Sequence, residues 1–224
     1  MIGLTHAGLG SVCRLGYRGS DVMKIVTPKV EIITPLDGEA ILRHVELCGR
    51  VCYKSEARIS DGSSHQFVAN IIARGHESVL EHYSFSVRFI CDRGVSHEIV
   101  RHRLASYSQE STRYCNYGQQ GEISFIQPSF NDDQQLKIWR VAMEHCEQAY
   151  LSLLAAGASP QMARSVLPNS LKTELVMTAN LREWRLFIKL RGSMSAHPQI
   201  RELVIALVKQ LKERIPVVFD DLVS

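Results

Sequence analysis

The run Arg101-His102-Arg103-Leu104-Ala105-Ser106-Tyr107-Ser108-Gln109-Glu110-Ser111-Thr112-Arg113 gathers three guanidinium groups, an imidazole and the hydroxyls of Ser106, Ser108, Ser111 and Thr112. Guanidinium forks bind phosphate oxygens in bidentate fashion, and hydroxyls add single directed hydrogen bonds. This is chemistry for a phosphorylated ligand, although an exposed basic helix end has the same composition. Just upstream, Glu98, Arg101 and His102 stand at i, i+3 and i+4 of a helical pattern, so Glu98 is placed to pair with Arg101 or His102. Arg101 and Arg103 would lie about 200° apart on a helix. Either the helix unwinds near His102, or the two arginines serve different ligands, as in a site for two anionic molecules.

Three further segments carry reactive side chains. Arg74-Gly75-His76-Glu77-Ser78-Val79-Leu80-Glu81-His82 invites a metal reading, but its histidines are six apart, whereas a zinc-binding pair on one helix face needs i and i+4. As a loop it would offer Ser78, His76 and Glu81 to a polar ligand, or use Glu81 and His82 as local caps. Asn180-Leu181-Arg182-Glu183-Trp184-Arg185 begins a helix, with Asn180 as N-cap and Glu183 at the capping-box position. Arg191 falls near the end of that helix, before Gly192. It is either a surface charge complementing the helix dipole or a cation that stabilises an anionic reacting ring. His197, before Pro198, is a cap or a site residue. In Ala163-Arg164-Ser165-Val166-Leu167-Pro168, Arg164 lies between apolar residues, which predicts partial burial and an anionic partner.

These residues need a scaffold, and the pattern predicts an α+β one: a small, mostly antiparallel sheet packed with a helical C-terminal half. Residues 24–34 are rich in Ile and Val and read as a strand. After Asp37, an N-cap, Ile41, Val45, Cys48 and Cys52 recur at helical spacing. A second helix is expected over 64–74, stopped by Gly75. Tyr83 to Cys91 alternates with period two, with Phe85, Val87 and Phe89 on one face. A short helix over 95–102 and a strand over 123–127 follow. The last hundred residues read as helical, with Trp139, Met143, Cys146, Tyr150 and Leu153 on one stripe of a helix over 136–155. A final helix starts at Pro198 and runs to Pro216 through Ile200, Val204, Leu207 and Leu211.

A chain of 224 residues that is 45% hydrophobic suits one large domain. Residues 1–22, with five glycines and little periodicity, read as a disordered or non-native extension; a secretory signal is the rival, but its apolar stretch is missing. Residues 23–224 form the expected single domain. The net charge of +3, from 26 basic and 23 acidic residues, argues against bulk attraction to a polyanion, so any cationic site is local. No apolar run approaches the roughly 18 residues that span a bilayer. Cys13, Cys48, Cys52, Cys91, Cys115 and Cys146 contain no CxxC pair. Without a disulfide framework or a secretory signal, the expected setting is the reducing cytoplasm.

Together the four segments resemble, in order and separation, the flavin-dependent thymidylate synthases, whose signature is RHR-x7-S; the resemblance runs from about Met23 to the C-terminus. It implies FAD as cofactor, dUMP as substrate, methylenetetrahydrofolate as carbon donor and NADPH as reductant. It also implies a homotetramer with FAD and dUMP sites between subunits. By resemblance, Ser78, Arg101, His102, Arg103, Gln109, Asn180 and Arg182 contact flavin. The nucleotide positions are Glu98, Arg101, Gln109, Glu110, Ser111, Thr112, Arg113, Arg164 and Arg191. Arg191 matches the arginine that assists ionisation of the uracil ring, the family's nearest approach to a catalytic side chain, and no metal is implied. The chain departs from the pattern at Leu186, where members often carry a polar flavin contact, and at Glu98, where some carry glutamine. Its Arg191-to-His197 spacing is also longer than in some members.

Two other classes compete. An arginine-rich nucleic-acid module would bind with steep salt dependence and no flavin, but the near-neutral charge and few aromatics beside the arginines oppose it. The other is a family member that binds nucleotide without turnover. The partners expected are therefore small molecules and further copies of the chain, with no nucleic acid and no membrane.

Overall fold

The computed structural model describes residues 23–119 and 123–222; the expected N-terminal extension lies outside them. Strand β1 (Lys24–Ile25) and strand β2 (Lys29–Ile32) replace the single strand expected over 24–34. Pro28, which has no N–H for a ladder, sits at the break. Helix α1 (Gly38–Val51) is capped by Asp37, whose side chain accepts the Ala40 N–H at 3.0 Å, as the spacing predicts. Helix α2 (Ser63–Ala73) is C-capped by Arg74 and followed by Gly75, whose φ of +71° suits glycine. The two helices cross closely at Gly49, where a Cβ would come within 2.5 Å of the Phe67 ring.

A 3-10 turn (Glu77–His82) leads into strand β3 (Ser84–Asp92), then helix α3 (Arg93–Ile99) and strand β4 (Ala105–Gln109). Strand β5 (Ser124–Phe125) is shorter than expected and pairs in parallel with β1. Helices α4 (Asp133–Ala155) and α5 (Pro160–Ala163) precede strand β6 (Lys172–Asn180). Helices α6 (Leu181–Arg191) and α7 (Pro198–Arg214) complete the order. β6 corrects the helical reading of the last hundred residues: it lies inside the four-stranded antiparallel sheet, in the order β2-β3-β6-β4.

Cross-strand rows explain why this sheet holds. Ile32, Val87, Met177 and Tyr107 stand opposite one another across the strands, and Val30, Phe89, Leu175 and Gln109 form the next row. This face is covered by α6 and α7, with Trp184 stacked 5.1 Å from Phe85 and Phe187 set edge-on to Phe89 at 5.9 Å. The opposite face is polar, with an Arg88–Glu31 ion pair at 2.6 Å and a Ser86–Thr178 hydrogen bond at 2.6 Å. One apolar and one polar face is normal for an antiparallel sheet. A second core joins β5 to the expected α4 stripe through Phe125, Trp139, Met143 and Tyr150. Cys146 and Leu153 of that stripe are only half-buried. Leu171 belongs to this core and immediately precedes β6, so the two cores meet where the long strand begins.

Candidate active site

α3 presents the signature. Its N-terminus is fixed by buried Asp92, whose carboxylate accepts the Val95 N–H at 2.6 Å. Burial raises the Asp92 pKa despite that bond. The helix stops at Ile99, three residues earlier than its apolar pattern suggests. Beyond it the Arg101 N–H bonds the Glu98 carbonyl and the His102 N–H the Ile99 carbonyl, both i to i−3. The Tyr107 hydroxyl, from β4, reaches the carbonyls of Ile99 (3.0 Å) and His102 (2.5 Å) and pins the unwound segment. Burial pushes the Tyr107 hydroxyl up to about 12, so it stays a donor. The chain therefore unwinds before Arg101, and both Arg101 and Arg103 emerge into solvent from a loop.

His102 turns inward between them and is 6% exposed. Its ring packs edge-on against Phe187 of α6 at 5.0 Å. Nδ1 lies 3.0 Å from the buried Glu183 carboxylate, and Nε2 accepts from Arg191 Nε at 3.2 Å. Arg191 also donates to Glu98, through Nη1 to the carboxylate at 2.9 Å and Nη2 to the backbone carbonyl at 3.0 Å. Glu98 thus pairs across the fold with Arg191, and not with Arg101 or His102, because the helix that would have aligned them has ended. Burial is the main influence on His102 and lowers its pKa, with Arg191 acting in the same sense and Glu183 against it. The ring is neutral near pH 7, as it must be to accept from a guanidinium.

The other end of the signature forms a second cluster. Gln109 donates to Ser96 Oγ of α3 at 2.9 Å and to Thr173 Oγ1 of β6 at 3.2 Å, which ties three elements together. Glu110 is held by Lys172 at 3.2 Å and by the Tyr117 hydroxyl at 2.7 Å, so its charge is already matched. Thr112 is buried and accepts from Arg164 at 3.4 Å, while Arg113 donates to Gln161 at 3.3 Å. The Ser111 hydroxyl accepts the Arg113 N–H at 3.3 Å. Arg164 is exposed, contrary to the expected partial burial, and a hydroxyl rather than a carboxylate meets it.

A third group lies at the start of α6. Asn180 caps the helix, accepting the Glu183 N–H at 2.9 Å as predicted. The capping box is only half made, since the Glu183 side chain goes to His102. Arg182 pairs with Glu81 at 2.5 Å, both exposed. Ser78 is exposed and lines a cleft of about 930 Å³ with Arg50, Arg58, Arg74, Tyr53 and Phe67. Of the sequence-derived residues, the fold joins Glu98, His102 and Arg191 directly, and Ser111, Thr112, Arg113 and Arg164 as neighbours. Among the described residues no side-chain contact joins Ser78 to either set. Sequence reasoning did not single out Tyr107, Ser96 or Thr173 as partners of the signature, and it gave Glu183 only a capping role. Among the described residues no cluster of three or more His, Cys, Asp or Glu is arranged to hold a metal.

The family model described as Thymidylate synthase complementing protein matches residues 39–217. The chain belongs to this family, that of the flavin-dependent thymidylate synthases. It is similar to the flavin-dependent thymidylate synthase of Geobacter sulfurreducens, 34% identical over 197 residues that cover 81% of this chain and 85% of the relative. With the Mycobacteroides abscessus protein of the same name it shares 36% identity over 217 residues, covering 88% and 85%. Its fold matches the crystal structure of a UMP/dUMP methylase from Streptomyces cacaoi bound with 5-Br dUMP. That match has a TM-score of 0.74 at 23% identity, and covers 88% of this chain and 96% of the other.

Proposed function

We propose that this protein makes dTMP from dUMP, taking its carbon from methylenetetrahydrofolate and using FAD reduced by NADPH. The observation that carries the reading is the set of guanidinium groups with no carboxylate partner. Arg101 and Arg103 are exposed, with no side-chain hydrogen bond or ion pair among the described residues; Arg113 donates to Gln161 and lies 5.4 Å from the centre of the Tyr114 ring, and Arg164 donates to Thr112. Four cations around one signature without compensating acids suit phosphate-bearing ligands, since guanidinium–phosphate pairs are strong and directional. The relatives' name supports the flavin, and the methylase neighbour's ligand supports the nucleotide.

The residues fit FAD chemically. Ser78 opens on a cleft of about 930 Å³ lined by three arginines and two aromatic rings, while Arg101, Arg103 and Arg182 offer guanidinium groups to a pyrophosphate. His102, Gln109 and Asn180 complete the proposed flavin contacts. Bound flavin would supply the hydride chemistry that no side chain can. Glu98, Glu110, Ser111, Thr112, Arg113 and Arg164 are assigned to dUMP, with Arg101 and Gln109 shared between the ligands. Arg191 has a separate task. Three of its five N–H donors are used on Glu98 and His102, which aims the group and leaves two for a uracil carbonyl. Such a preset donor stabilises negative charge on the pyrimidine as it develops.

The reading includes a homotetramer with sites shared between subunits, supported by Leu104 and Tyr114, each 75% exposed beside the signature. A cytoplasmic setting is supported by the free thiols of Cys48, Cys52, Cys91, Cys115 and Cys146. The purified protein is expected to absorb at about 450 nm, as oxidised flavin does. With folate, flavin and NADPH it is expected to release tritium from dUMP labelled at the uracil carbon that receives the methyl group. A colourless protein that neither takes up FAD nor releases tritium overturns the reading. Arg191→Ala is expected to keep the flavin spectrum while losing turnover by about 10²–10³, the scale for removing one preorganised donor.

A further inference from the structure

The buried carboxylate of Glu183 has no use in capping. Asn180 already fixes the helix start through the Glu183 backbone N–H, and Glu183 is 4% exposed with His102 as its side-chain partner. A buried charge of this kind seldom adds net stability, and apolar replacements of similar size are often neutral. The imidazole beyond it supplies a different reason. Arg191 carries only donors, so His102 Nε2 can meet it only as an acceptor. The single ring proton must then sit on Nδ1, where Glu183 receives it at 3.0 Å.

We infer that Glu183 is a positioning residue that fixes the His102 tautomer and, through Nε2, aims the Arg191 guanidinium. The geometry confines the ring on every side. Phe187 packs edge-on against it at 5.0 Å, and Tyr107 holds the His102 carbonyl. Glu98 takes the two outer nitrogens of Arg191, so the Nε–H contact with His102 sets the remaining orientation of the fork. Without an acceptor at Nδ1, the neutral ring can place its proton on Nε2. An N–H there would oppose the Arg191 N–H and turn the guanidinium away. Neutrality of the ring follows from its burial.

The inference rests on the role proposed above for Arg191, and the test separates the two. Holoenzyme carrying Glu183→Ala or Glu183→Gln is compared with the parent for thermal midpoint, bound-flavin spectrum, and kcat and KM for dUMP. Glu183→Ala is expected to lower kcat by about tenfold to a hundredfold, the scale for a misplaced reacting group. Its KM and flavin spectrum should stay close to the parent's. Glu183→Gln is expected to recover kcat to within about threefold of the parent, because its amide oxygen accepts the same Nδ1–H. If Glu183→Ala turns over like the parent, the inference falls and the function stands. Should Glu183→Ala not fold, Glu183→Gln decides alone: folded, yellow and as slow as Arg191→Ala, it overturns the tautomer role. A parent that releases no tritium removes function and inference together.

Discussion

Arg185 and Arg113 carry the same guanidinium into opposite surroundings. Arg185 is 1% exposed and fully engaged: Asp221 grips it through both outer nitrogens at 2.7 and 2.8 Å, Glu77 lies at 3.2 Å, and the Val218 carbonyl takes a further bond. Arg113 stands in solvent with one amide oxygen and the Tyr114 ring beside it, and no carboxylate among the described residues. Arg185 joins α6 to the C-terminal segment and to the turn that carries Ser78, and its charge is cancelled inside the protein. Arg113, and likewise Arg101, Arg103 and Arg164, leave their charge without a carboxylate among the described residues, open to an external anion. Arg191 lies between the extremes, half-buried and paired, yet with donors to spare. The fold thus divides its arginines into fasteners and receivers.

Breaking a fastener should have the largest effect. Arg185→Ala leaves half-exposed Asp221 without its cation and Glu77 with only Lys189 at 3.6 Å, and is expected to cost about 2–3 kcal/mol of unfolding free energy, the upper part of the usual range for one substitution. Urea denaturation measures it, and a loss under 1 kcal/mol would erase the distinction drawn here. Receivers should behave in reverse. Arg113→Ala is expected to change stability by less than about 0.5 kcal/mol, while weakening dUMP binding by about 1.5–3 kcal/mol, as for a lost charge-assisted hydrogen bond. Calorimetric titration of dUMP into the flavin-loaded protein reads the second quantity, and equal losses in both would merge the two classes.

The smallest effect concerns the buried imidazole between them. Burial lowers the His102 pKa below its ordinary 6.5, so the unfolded chain binds a proton that the folded ring refuses. Stability from this group is complete above about 6.5 and declines as pH falls through the window below it, because the unfolded state then gains protons first. Thermal midpoints taken from about pH 7.5 to about 5.5 should fall more in the parent than in His102→Gln. Parallel curves would show that the ring is not the group titrating.

Much of the scaffold was legible in local chemistry. Asp37, Asn180, Gly75 and Pro198 marked helix ends because caps and breakers act through their own backbone neighbours. β3 was legible because Phe85, Val87 and Phe89 alternate with smaller or polar residues. β6 was not. Its core-facing residues are Thr173, Leu175, Met177 and Ala179, with Val176 on the other face, so alternation is blurred, and Met, Ala and Glu favour helix in isolation. The signature itself was plain, but its internal wiring was not. His102 meets Glu183 and Arg191 meets Glu98 across 81 and 93 residues of sequence, through packing that no local spacing encodes. The one pairing inferred locally, Glu98 with Arg101 or His102, failed because α3 ends at Ile99, where Tyr107 can staple the loop.

β6 also limits how this chain can change. Thr173, near its start, anchors Gln109, and Asn180, at its end, launches the helix bearing Glu183 and Arg191. They stand seven positions apart, an odd offset, so they project from opposite sides of the strand. Substitutions between them leave that relation intact, whereas losing or gaining a single residue would put both on one side and carry the whole of α6 with it. Drift among relatives should therefore exchange letters within this stretch but hold its length constant.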